Sequence, residues 1–414
     1  MQLLSSLPLP VRQYLLVTGN YWSFTLTDGA LRMLVLMHFH KLGYAPLEIA
    51  LLFLFYELFG VITNLVGGWL GARLGLNRTM NMGLMLQVIA LLMLLVPSNL
   101  LSVPWVMGAQ ALSGIAKDLN KMSAKSAIKL LLPAHAQGPL YRWVALLTGS
   151  KNALKGLGFF LGGVLLALAG FRGAILIMAI CLAGVWILSK KFLRRDLGKA
   201  KAKKRFRDVF SKSRAVNALA AARLFLFASR DTWFVIALPV FLASQFGWGH
   251  WQIGAFLAVW IIGYGAVQAL APKITASISP KAPDGRTALY WSAALAMVPA
   301  TIALALHSGI HPLLTTLSGL MVFAFVFAIN SSLHSYLIVS YAREDGVSMD
   351  VGFYYMANAM GRLLGTLLSG WIFQIAGIEA CLIISSIFLM ATALISLALP
   401  KQGDEDSPAA TVVS

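Results

Sequence analysis

Lysines recur at intervals of four along one apolar segment of the chain. Lys117, Lys121 and Lys125 lie within IAKDLNKMSAKSAIK, and Lys151 and Lys155 have the same spacing in the next apolar segment. In a helix, this spacing puts the side chains on one face. Ammonium groups are compact donors that bind phosphate-like oxygens. The pattern therefore predicts a strip of positive charge that attracts small polyanions.

Arginines add planar cations to this set. Arg32 follows Asp28 by four residues, a spacing that fits either a structural ion pair or a proton-carrying site. A guanidinium group presents a flat fork of donors that matches phosphate-like oxygens. The candidate substrate-binding cations are Lys117, Lys121, Lys151, Lys155 and Arg230, with Arg32 and Arg362 as further contributors.

Other polar side chains in the same segments can orient a ligand or carry a proton. Asn20, Tyr21 and Asn152 are the candidate ligand contacts. Acidic and imidazole side chains within apolar segments often form proton relays. The candidates for a coupling proton, which the sequence does not rank, are Asp28, Glu57, Asp118, Asp231 and His334.

These residues lie in an otherwise apolar chain. Of 414 residues, 59% are hydrophobic and 12% are charged, and the mean hydropathy is +0.78. This composition leaves too little polar surface for a soluble globule of this size. A bilayer core about 30 Å thick needs roughly 20 apolar residues per helix. The sequence supplies twelve such spans, at 13–39, 47–70, 79–97, 103–124, 143–169, 171–189, 215–243, 251–271, 287–306, 312–340, 350–376 and 378–399.

Lipid makes the charges within these spans informative. An ionisable residue near the bilayer centre costs about 2.5–3.5 kcal/mol on insertion scales, so each needs a partner or a water-filled cavity. Lys117, Lys121 and Lys151 fall at comparable depth, and Asp118 alone cannot neutralise them. We interpret three further cations as anchors near the membrane surface, namely Lys125, Lys129 and Arg223.

The distribution of Lys and Arg between spans predicts the orientation. Residues 190–214 carry twelve basic side chains against Asp196 and Asp208. The positive-inside rule makes this segment cytoplasmic, and both termini then lie in the cytoplasm. We expect a multi-pass protein of the bacterial inner membrane. Its parts would be a first half (1–189), a basic linker (190–214), a second half (215–399) and a disordered tail (400–414).

An internal repeat and two short motifs suggest the fold. Residues 42–60 align with residues 246–264 at a shift of 204. GWLGARLGLNR at 68–78 resembles the G-x-L-A-D-R-x-G-R-K loop of the major facilitator superfamily, with Ala72 in place of the usual Asp. GFFLGG at 158–163 resembles a glycine-rich antiporter element, although the same spacing also lets two helices pack closely. These resemblances imply an all-α membrane protein with two six-helix halves and a central cavity near the bilayer midplane.

The sequence argues against other classes of function. The formal charge of +18 lies mostly in loops between spans, so we expect no nucleic acid partner. Cys181 and Cys381 form no CxxC pair. No G-x-x-x-x-G-K-[ST] sequence is present. We therefore expect no metal, no cofactor and no enzymatic activity, and transport driven by a gradient.

Four segments together resemble the organoarsenical efflux family called ArsJ. They are VRQYLLVTGNYWSFTLTDGALRM, LLFLFYELFGVITNLVGGWLGARLGLNRTMN, AQALSGIAKDLNKMSAKSAIKLL and LTGSKNALKGLGFFLGG. The resemblance implies export of 1-arseno-3-phosphoglycerate, which a glyceraldehyde-3-phosphate dehydrogenase makes when it uses arsenate in place of phosphate. That anion is charged at both ends, which agrees with several cations spread along a cavity.

Two alternatives stay open on the sequence alone. The same cations would suit an organophosphate exchanger that moves phosphoglycerate or a sugar phosphate. A membrane sensor built on a transporter fold is the second alternative, although the central linker and the tail are short for an output domain.

Overall fold

The computed structural model describes residues 9–42, 52–97, 100–131, 137–193, 197, 199, 213–248, 250–279 and 281–400. Every regular element in these ranges is helical, which confirms the all-α prediction. The helices are α1 (Leu9–Lys41), α2 (Leu54–Leu74), α3 (Leu76–Met93), α4 (Val103–Leu131), a joined pair α5 and α6 (Gln137–Phe192), α7 (Arg214–Phe246), α8 (His250–Ile278), α9 (Gly285–His307), α10 (Pro312–Tyr341) and a joined pair α11 and α12 (Val347–Ser396).

Two of these helical stretches are too long for a single crossing. Gln137–Phe192 has 56 residues and Val347–Ser396 has 50, whereas about 20 residues span a bilayer core. Each is broken by one glycine, Gly170 at φ 66° and ψ −179° and Gly377 at φ 75° and ψ −172°. Glycine alone adopts such angles readily. The arms are α5 (137–169), α6 (171–192), α11 (347–376) and α12 (378–396).

Contacts with α1 show that the chain reverses direction at Gly170. The contacting pairs are Tyr14 with Trp143 and Gly29 with Lys155 for α5, and Gln13 with Phe192 and His38 with Phe171 for α6. In the α5 pairs, the residue number on α5 increases as the number on α1 increases. In the α6 pairs, the number on α6 decreases as the number on α1 increases. Helix α5 is therefore parallel to α1, and α6 is antiparallel.

Helix α7 has the same relation to α11 and α12. The contacting pairs are Leu224 with Gly361 and Ala228 with Gly365 for α11, and Ala222 with Thr392 and Phe225 with Phe388 for α12. Helix α11 is parallel to α7 and α12 is antiparallel. This shared arrangement agrees with the repeat predicted from the sequence.

Glycines allow these parallel helices to touch through their backbones. A Cβ on Gly158 would lie 2.6 Å from the carbonyl oxygen of Leu26, and one on Gly365 would lie 2.6 Å from that of Ala228. Real Cβ atoms do not approach so closely. The GFFLGG spacing therefore serves close helix packing in this protein.

Proline explains a break within α7. Val235 and Ile236 form a turn between Arg214–Phe234 and Ala237–Phe246. Pro239 has no N–H to donate to the carbonyl group of Val235, so one helical hydrogen bond is missing there. The Ser369 hydroxyl of α11 accepts from the N–H groups of Ile236 at 3.4 Å and Ala237 at 3.1 Å. A side chain thus satisfies backbone groups that the break releases.

The turn between α2 and α3 depends on Gly75. Its φ is 95°, a conformation that favours glycine, and its N–H donates to the Gly71 carbonyl at 3.0 Å. The tight glycine turn expected of the GWLGARLGLNR motif is present. Ala72, which replaces the usual Asp, is fully buried.

Helices α1–α6 and helices α7–α12 each have a buried apolar core and an apolar exterior. One core includes Phe24, Leu34 and Leu91, and another includes Trp233, Phe323 and Leu389. Large apolar side chains are also widely exposed, among them Leu168 at 82% and Phe160 at 71%. Six helical stretches of the described residues, including both joined pairs, are long and apolar enough to cross a membrane. An exterior of this kind is stable in lipid.

The chain divides into two compact units. The first consists of Met1–Ser211 with Ala342–Ala359, and the second of Lys212–Tyr341 with Met360–Ser414. The start of α11 therefore groups with the first unit. The reason is a close contact in which Ser348 donates to the Gly68 carbonyl at 2.8 Å. Most of the predicted linker, residues 401–414 and residues 43–51 of the repeat lie outside the described residues.

Candidate functional site

Tyr56 on α2 connects charged residues of α1 and α4. Its hydroxyl donates to the two carboxylate oxygens of Asp28, at 2.7 and 2.8 Å. The guanidinium carbon of Arg32 lies 3.9 Å from the centre of the Tyr56 ring, and Nζ of Lys117 lies 3.8 Å from it. Such cation–π contacts strengthen when they are desolvated, and Tyr56 is fully buried. One tyrosine thus groups two cations and a carboxylate, which we call the Tyr56 cluster.

Asp118 lies between two lysines of α4. Nζ of Lys121 is 2.5 Å from Oδ1 of Asp118, and Nζ of Lys117 is 4.0 Å from Oδ2. The Asp118 side chain is 2% exposed, whereas Lys117 is 20% exposed and Lys121 is 13% exposed. The carboxylate is therefore buried more deeply than the two ammonium groups that share its charge.

Tyr355 on α11 contacts two lysines of the α4 strip. The centre of its ring lies 4.7 Å from Nζ of Lys121 and 5.2 Å from Nζ of Lys125. Lys125 also donates to Thr148 on α5 at 2.8 Å, and it is 3% exposed. A surface anchor needs contact with water or headgroups, so our interpretation of Lys125 as an anchor is wrong. Lys125 belongs with the buried cations of the first unit.

Asn20 and Tyr21 have different surroundings although they are adjacent in sequence. Tyr21 is buried within electrostatic range of Asp28 and Asp118, beside the charged residues. Asn20 donates its amide to Ser189 on α6 at 2.8 Å. The participation of Asn20 and Tyr21 in ligand binding stays a prediction.

Lys151, Asn152 and Lys155 lie within about one turn of α5, and all three are half-buried. Nζ of Lys155 is 5.7 Å from the centre of the Phe159 ring. The Lys155 carbonyl faces Gly29, where α5 packs closely on α1. Their participation in a binding site stays a prediction.

Asp231 on α7 is also a buried carboxylate beside two cations, one on α7 and one on α11. Nε and Nη2 of Arg230 each lie 2.6 Å from Oδ1 of Asp231, and Nε of Arg362 lies 3.4 Å from Oδ2. Asp231 is 1% exposed, against 17% for Arg230 and 38% for Arg362. A deeply buried carboxylate again lies between two more accessible cations. The structure thus brings Arg362 of α11 to the adjacent pair Arg230 and Asp231 of α7.

Arg223 is a further buried cation of the second unit. It is 3% exposed, its Nη1 donates to the Ser331 carbonyl at 3.2 Å, and its guanidinium carbon lies 4.0 Å from the centre of the Phe227 ring. Its interpretation as a surface anchor is therefore wrong. His334 on α10 is fully buried, and its ring nitrogens have no hydrogen-bond partner within the described residues.

Two remaining points concern Glu57 and metal binding. The backbone of Glu57 lies in α2, and its side chain is outside the described part of the structure. Among the residues that the structure describes, no group of three or more His, Cys, Asp or Glu residues is placed to hold a metal ion.

Tyr56 and Tyr355 are contacts that the sequence analysis missed. Tyr56 contacts Arg32 and Lys117 of the predicted site, and Tyr355 contacts Lys121 of that site together with Lys125. A signal was available, because buried cations that outnumber carboxylates require other partners, and aromatic rings provide them. Spacing along one helix does not reveal which ring on another helix meets these cations.

Solved structures with the same fold include several transporters. The human organic anion transporter MFSD10 has a TM-score of 0.72 at 17% identity and covers 94% of this chain and 100% of its own. A bacterial homologue of the iron transporter ferroportin, in an outward-facing state, has a TM-score of 0.73 at 15% identity and covers 92% and 98%. The E. coli fucose:proton symporter has a TM-score of 0.71 at 12% identity and covers 93% and 98%. At these identities the likeness concerns the fold alone.

Sequence comparison assigns the family. No curated protein is significantly similar to the chain. The model of the Major Facilitator Superfamily matches residues 14–351, which is most of the chain. The described residues form twelve helices, in which α1 is parallel to α5 and α7 is parallel to α11. The family match over most of the sequence shows that the chain belongs to the Major Facilitator Superfamily.

Proposed function

We propose that the chain exports a small organic polyanion, 1-arseno-3-phosphoglycerate, and so confers resistance to arsenate. The observation that carries the proposal is the excess of buried or half-buried cations over carboxylates at the described sites. In the first unit, Arg32, Lys117, Lys121 and Lys125 are grouped with Asp28 and Asp118. In the second unit, Arg230 and Arg362 share Asp231.

Such groups favour ligands with several negative charges. Asp118 and Asp231 each lie beside two cations, and one carboxylate balances the charge of only one of them, so an anionic ligand would add to the neutralisation. Lysines suit compact phosphate-like groups, and arginines bind them with two parallel hydrogen bonds. A neutral sugar or a cationic drug would gain little from these side chains.

The proposed cargo has an arsenate ester at one end and a phosphate ester at the other. We assign the two ends to Lys117, Lys121, Lys151, Lys155 and Arg230, with Arg32 and Arg362 as further contacts. Transport would proceed by alternating access of the two repeats, as in other transporters built from repeats. The carboxylates Asp28, Asp118 and Asp231 are the candidates for carrying a proton, together with Glu57 and His334.

The resemblance of four segments to the ArsJ family supports this choice of cargo. It also supports a functional pairing with a glyceraldehyde-3-phosphate dehydrogenase, which would supply the cargo in the cytoplasm of a bacterium. The similar fold of a human protein described as an organic anion transporter is compatible with anionic cargo.

Everted membrane vesicles provide the direct test. Vesicles that contain the protein are given labelled arsenate, with or without the dehydrogenase and its sugar phosphate substrate. We expect label to accumulate only when both are added. Accumulation of arsenate alone, or none under any condition, would disprove the proposed cargo.

The binding residues are tested by neutralising single lysines. Lys117→Gln and Lys151→Gln should each abolish accumulation while the protein still inserts in the membrane. Lys281→Gln is the matched control, because Lys281 is exposed in the turn before α9. If both variants transport at the wild-type rate, the assignment of these lysines is wrong.

An organophosphate exchanger is the alternative that the same cations favour. It would move phosphoglycerate or a sugar phosphate against inorganic phosphate. Vesicles preloaded with phosphate distinguish the two functions. Uptake of labelled 3-phosphoglycerate that depends on internal phosphate would favour the exchanger over arsenical export.

A further inference from the structure

Helices α3 and α4 bury four uncharged polar side chains. Gln87 lies on α3, and Gln110, Ser113 and Asn120 lie on α4; all four are fully buried. Among the residues that the structure describes, six side-chain atoms of this set have no hydrogen-bond partner. They are both polar atoms of each glutamine, the Ser113 hydroxyl oxygen and the Asn120 carbonyl oxygen. We call these four residues the α3–α4 polar seam.

Contacts near both ends of α3 give the packing register. Near one end, Trp105 of α4 donates its indole N–H to the Met93 carbonyl at 2.7 Å. Near the other end, a Cβ on Gly83 would meet the Asn120 side chain and would lie 3.0 Å from the Ala116 carbonyl oxygen. The two helices are therefore antiparallel and closely packed.

This register brings the four polar side chains to one interface. Gln87 follows Gly83 by one helical turn, so it lies on the same side of α3 and level with Ser113. Ser113 precedes Asn120 by two turns, and Gln110 precedes Ser113 by three residues. The unpartnered atoms therefore follow one another along the boundary between α3 and α4, inside the first unit.

Buried polar groups of a membrane protein need partners within the protein. Lipid offers no hydrogen bonds, and a buried donor or acceptor without a partner keeps the full cost of having left water. Turning either glutamine amide by 180° exchanges its oxygen and nitrogen. Since both atoms are without partners among the described residues, that rotation does not change the count. Six such atoms on one interface indicate a partner other than a protein side chain.

The chemistry of the seam identifies this partner. Each amide has N–H donors and a carbonyl acceptor, and a hydroxyl group donates and accepts. Water has the same mixture, and a buried water typically makes about three hydrogen bonds to groups of this kind. Lys117 follows Ser113 by one turn and Lys121 directly follows Asn120, so nearby positive charge disfavours a metal cation. The unpartnered oxygens of the seam disfavour an anion.

We propose that the α3–α4 polar seam is a binding site for ordered water within the first unit. This water completes the hydrogen bonding of Gln87 and Gln110 and joins α3 to α4. It is therefore a structural part of the helix bundle, and its binding stabilises the folded protein. The inference goes beyond the proposed transport, because it holds whatever the cargo is.

An experimental structure of the full chain in lipid nanodiscs, at a resolution that shows ordered water, tests the site directly. We expect density within hydrogen-bond distance, about 2.7–3.2 Å, of the amides of Gln87 and Gln110. Amides that bond to each other or to the backbone, with no density between α3 and α4, overturn the proposal. Density coordinated by oxygen atoms alone also overturns it, since that arrangement identifies a metal cation.

Thermal unfolding of Gln87→Met and Gln110→Met gives a second test, which depends on the direction of the change. Methionine has nearly the length of glutamine but makes no strong hydrogen bond. If the seam is dry, each substitution removes an unpaired group and the unfolding temperature rises. If water is bound, each substitution takes a partner from it, and we expect a fall of about 2–4 °C.

Gln245→Met is the matched control, because Gln245 is exposed near the end of α7. Its unfolding temperature should equal that of the wild type. Unfolding temperatures that are unchanged or higher for both seam variants overturn the proposal. A failure of the vesicle experiments would disprove the proposed cargo and leave this inference intact, since neither test of the seam uses a transported substrate.

Discussion

The Tyr56 hydroxyl donates to both carboxylate oxygens of Asp28, while the ring of the same tyrosine contacts Arg32 and Lys117. One side chain therefore has two separable roles. The hydroxyl holds the carboxylate, and the ring holds the cations. Conservative substitution can remove the first role and keep the second.

Tyr56→Phe should reduce transport and lower stability. A hydrogen bond to a charged group contributes about 1.5–3 kcal/mol, and the variant leaves Asp28 without this donor. Tyr56→Leu should be worse, because the ring contacts of Arg32 and Lys117 are lost as well. Transport in vesicles and thermal unfolding in detergent measure both effects. Tyr290→Phe on the exposed face of α9 is the control and should be neutral.

Lys121→Gln and Asp118→Asn should show strong coupling in a double-mutant cycle. Removing Lys121 leaves Asp118 buried beside the more distant Lys117, and breaking a buried pair costs about 3 kcal/mol. The double variant should recover much of that loss, since no uncompensated charge remains. Thermal unfolding of the four proteins gives the coupling energy. Additive effects would mean that the 2.5 Å contact contributes little.

Gly158→Ala should destabilise the protein although alanine favours helices. The new Cβ would lie 2.6 Å from the Leu26 carbonyl oxygen, so α1 and α5 must separate. Gly184→Ala on α6 is the control, because nothing lies within 4 Å of its new Cβ. The control should be neutral or slightly stabilising, by up to about 1 kcal/mol. Equal unfolding temperatures for the two variants would contradict the close packing of α1 on α5.

Gly377→Ala should also be destabilising, for a different reason. The position has free space around it, but its φ of 75° with ψ of −172° is a conformation that alanine rarely adopts. The strain should cost about 1–3 kcal/mol. Gly263→Ala within α8 is the control, since it has free space and no positive φ. The yield of folded protein after detergent extraction is a sufficient measurement, and an equal yield would argue against the reversal at Gly377.

The sequence predicted the helices well and the contacts between them less well. The lengths of the apolar segments predicted the two spans on either side of Gly170, because a bilayer requires long apolar helices and tolerates few other elements. The break in α7 was not predicted, although Pro239 explains it once the helix is seen. The GFFLGG spacing predicted that α5 can pack closely on another helix, since small residues permit it, but only the structure shows that the partner is α1.

The candidate site was predicted in part. The spacing of Lys117 and Lys121 and the neighbouring Asp118 gave one ion-pair group directly. The misinterpretation of Lys125 and Arg223 as anchors came from their positions near the ends of spans. Depth in a span does not reveal which groups on other helices, such as Thr148, surround a side chain. Contacts between residues distant in sequence need the fold.

The single-residue joints at Gly170 and Gly377 have a practical consequence for experiments on the intact membrane. Where two helices are separated by one residue, no loop is available for a protease to cut or for an antibody to recognise. His307 at the end of α9 contacts Glu379, just after Gly377, at 3.2 Å. The turn between α9 and α10 and the joint between α11 and α12 therefore lie on the same face of the second unit. An epitope tag intended for that face belongs in the exposed turn at 308–311, where it would interrupt neither α9 nor α10.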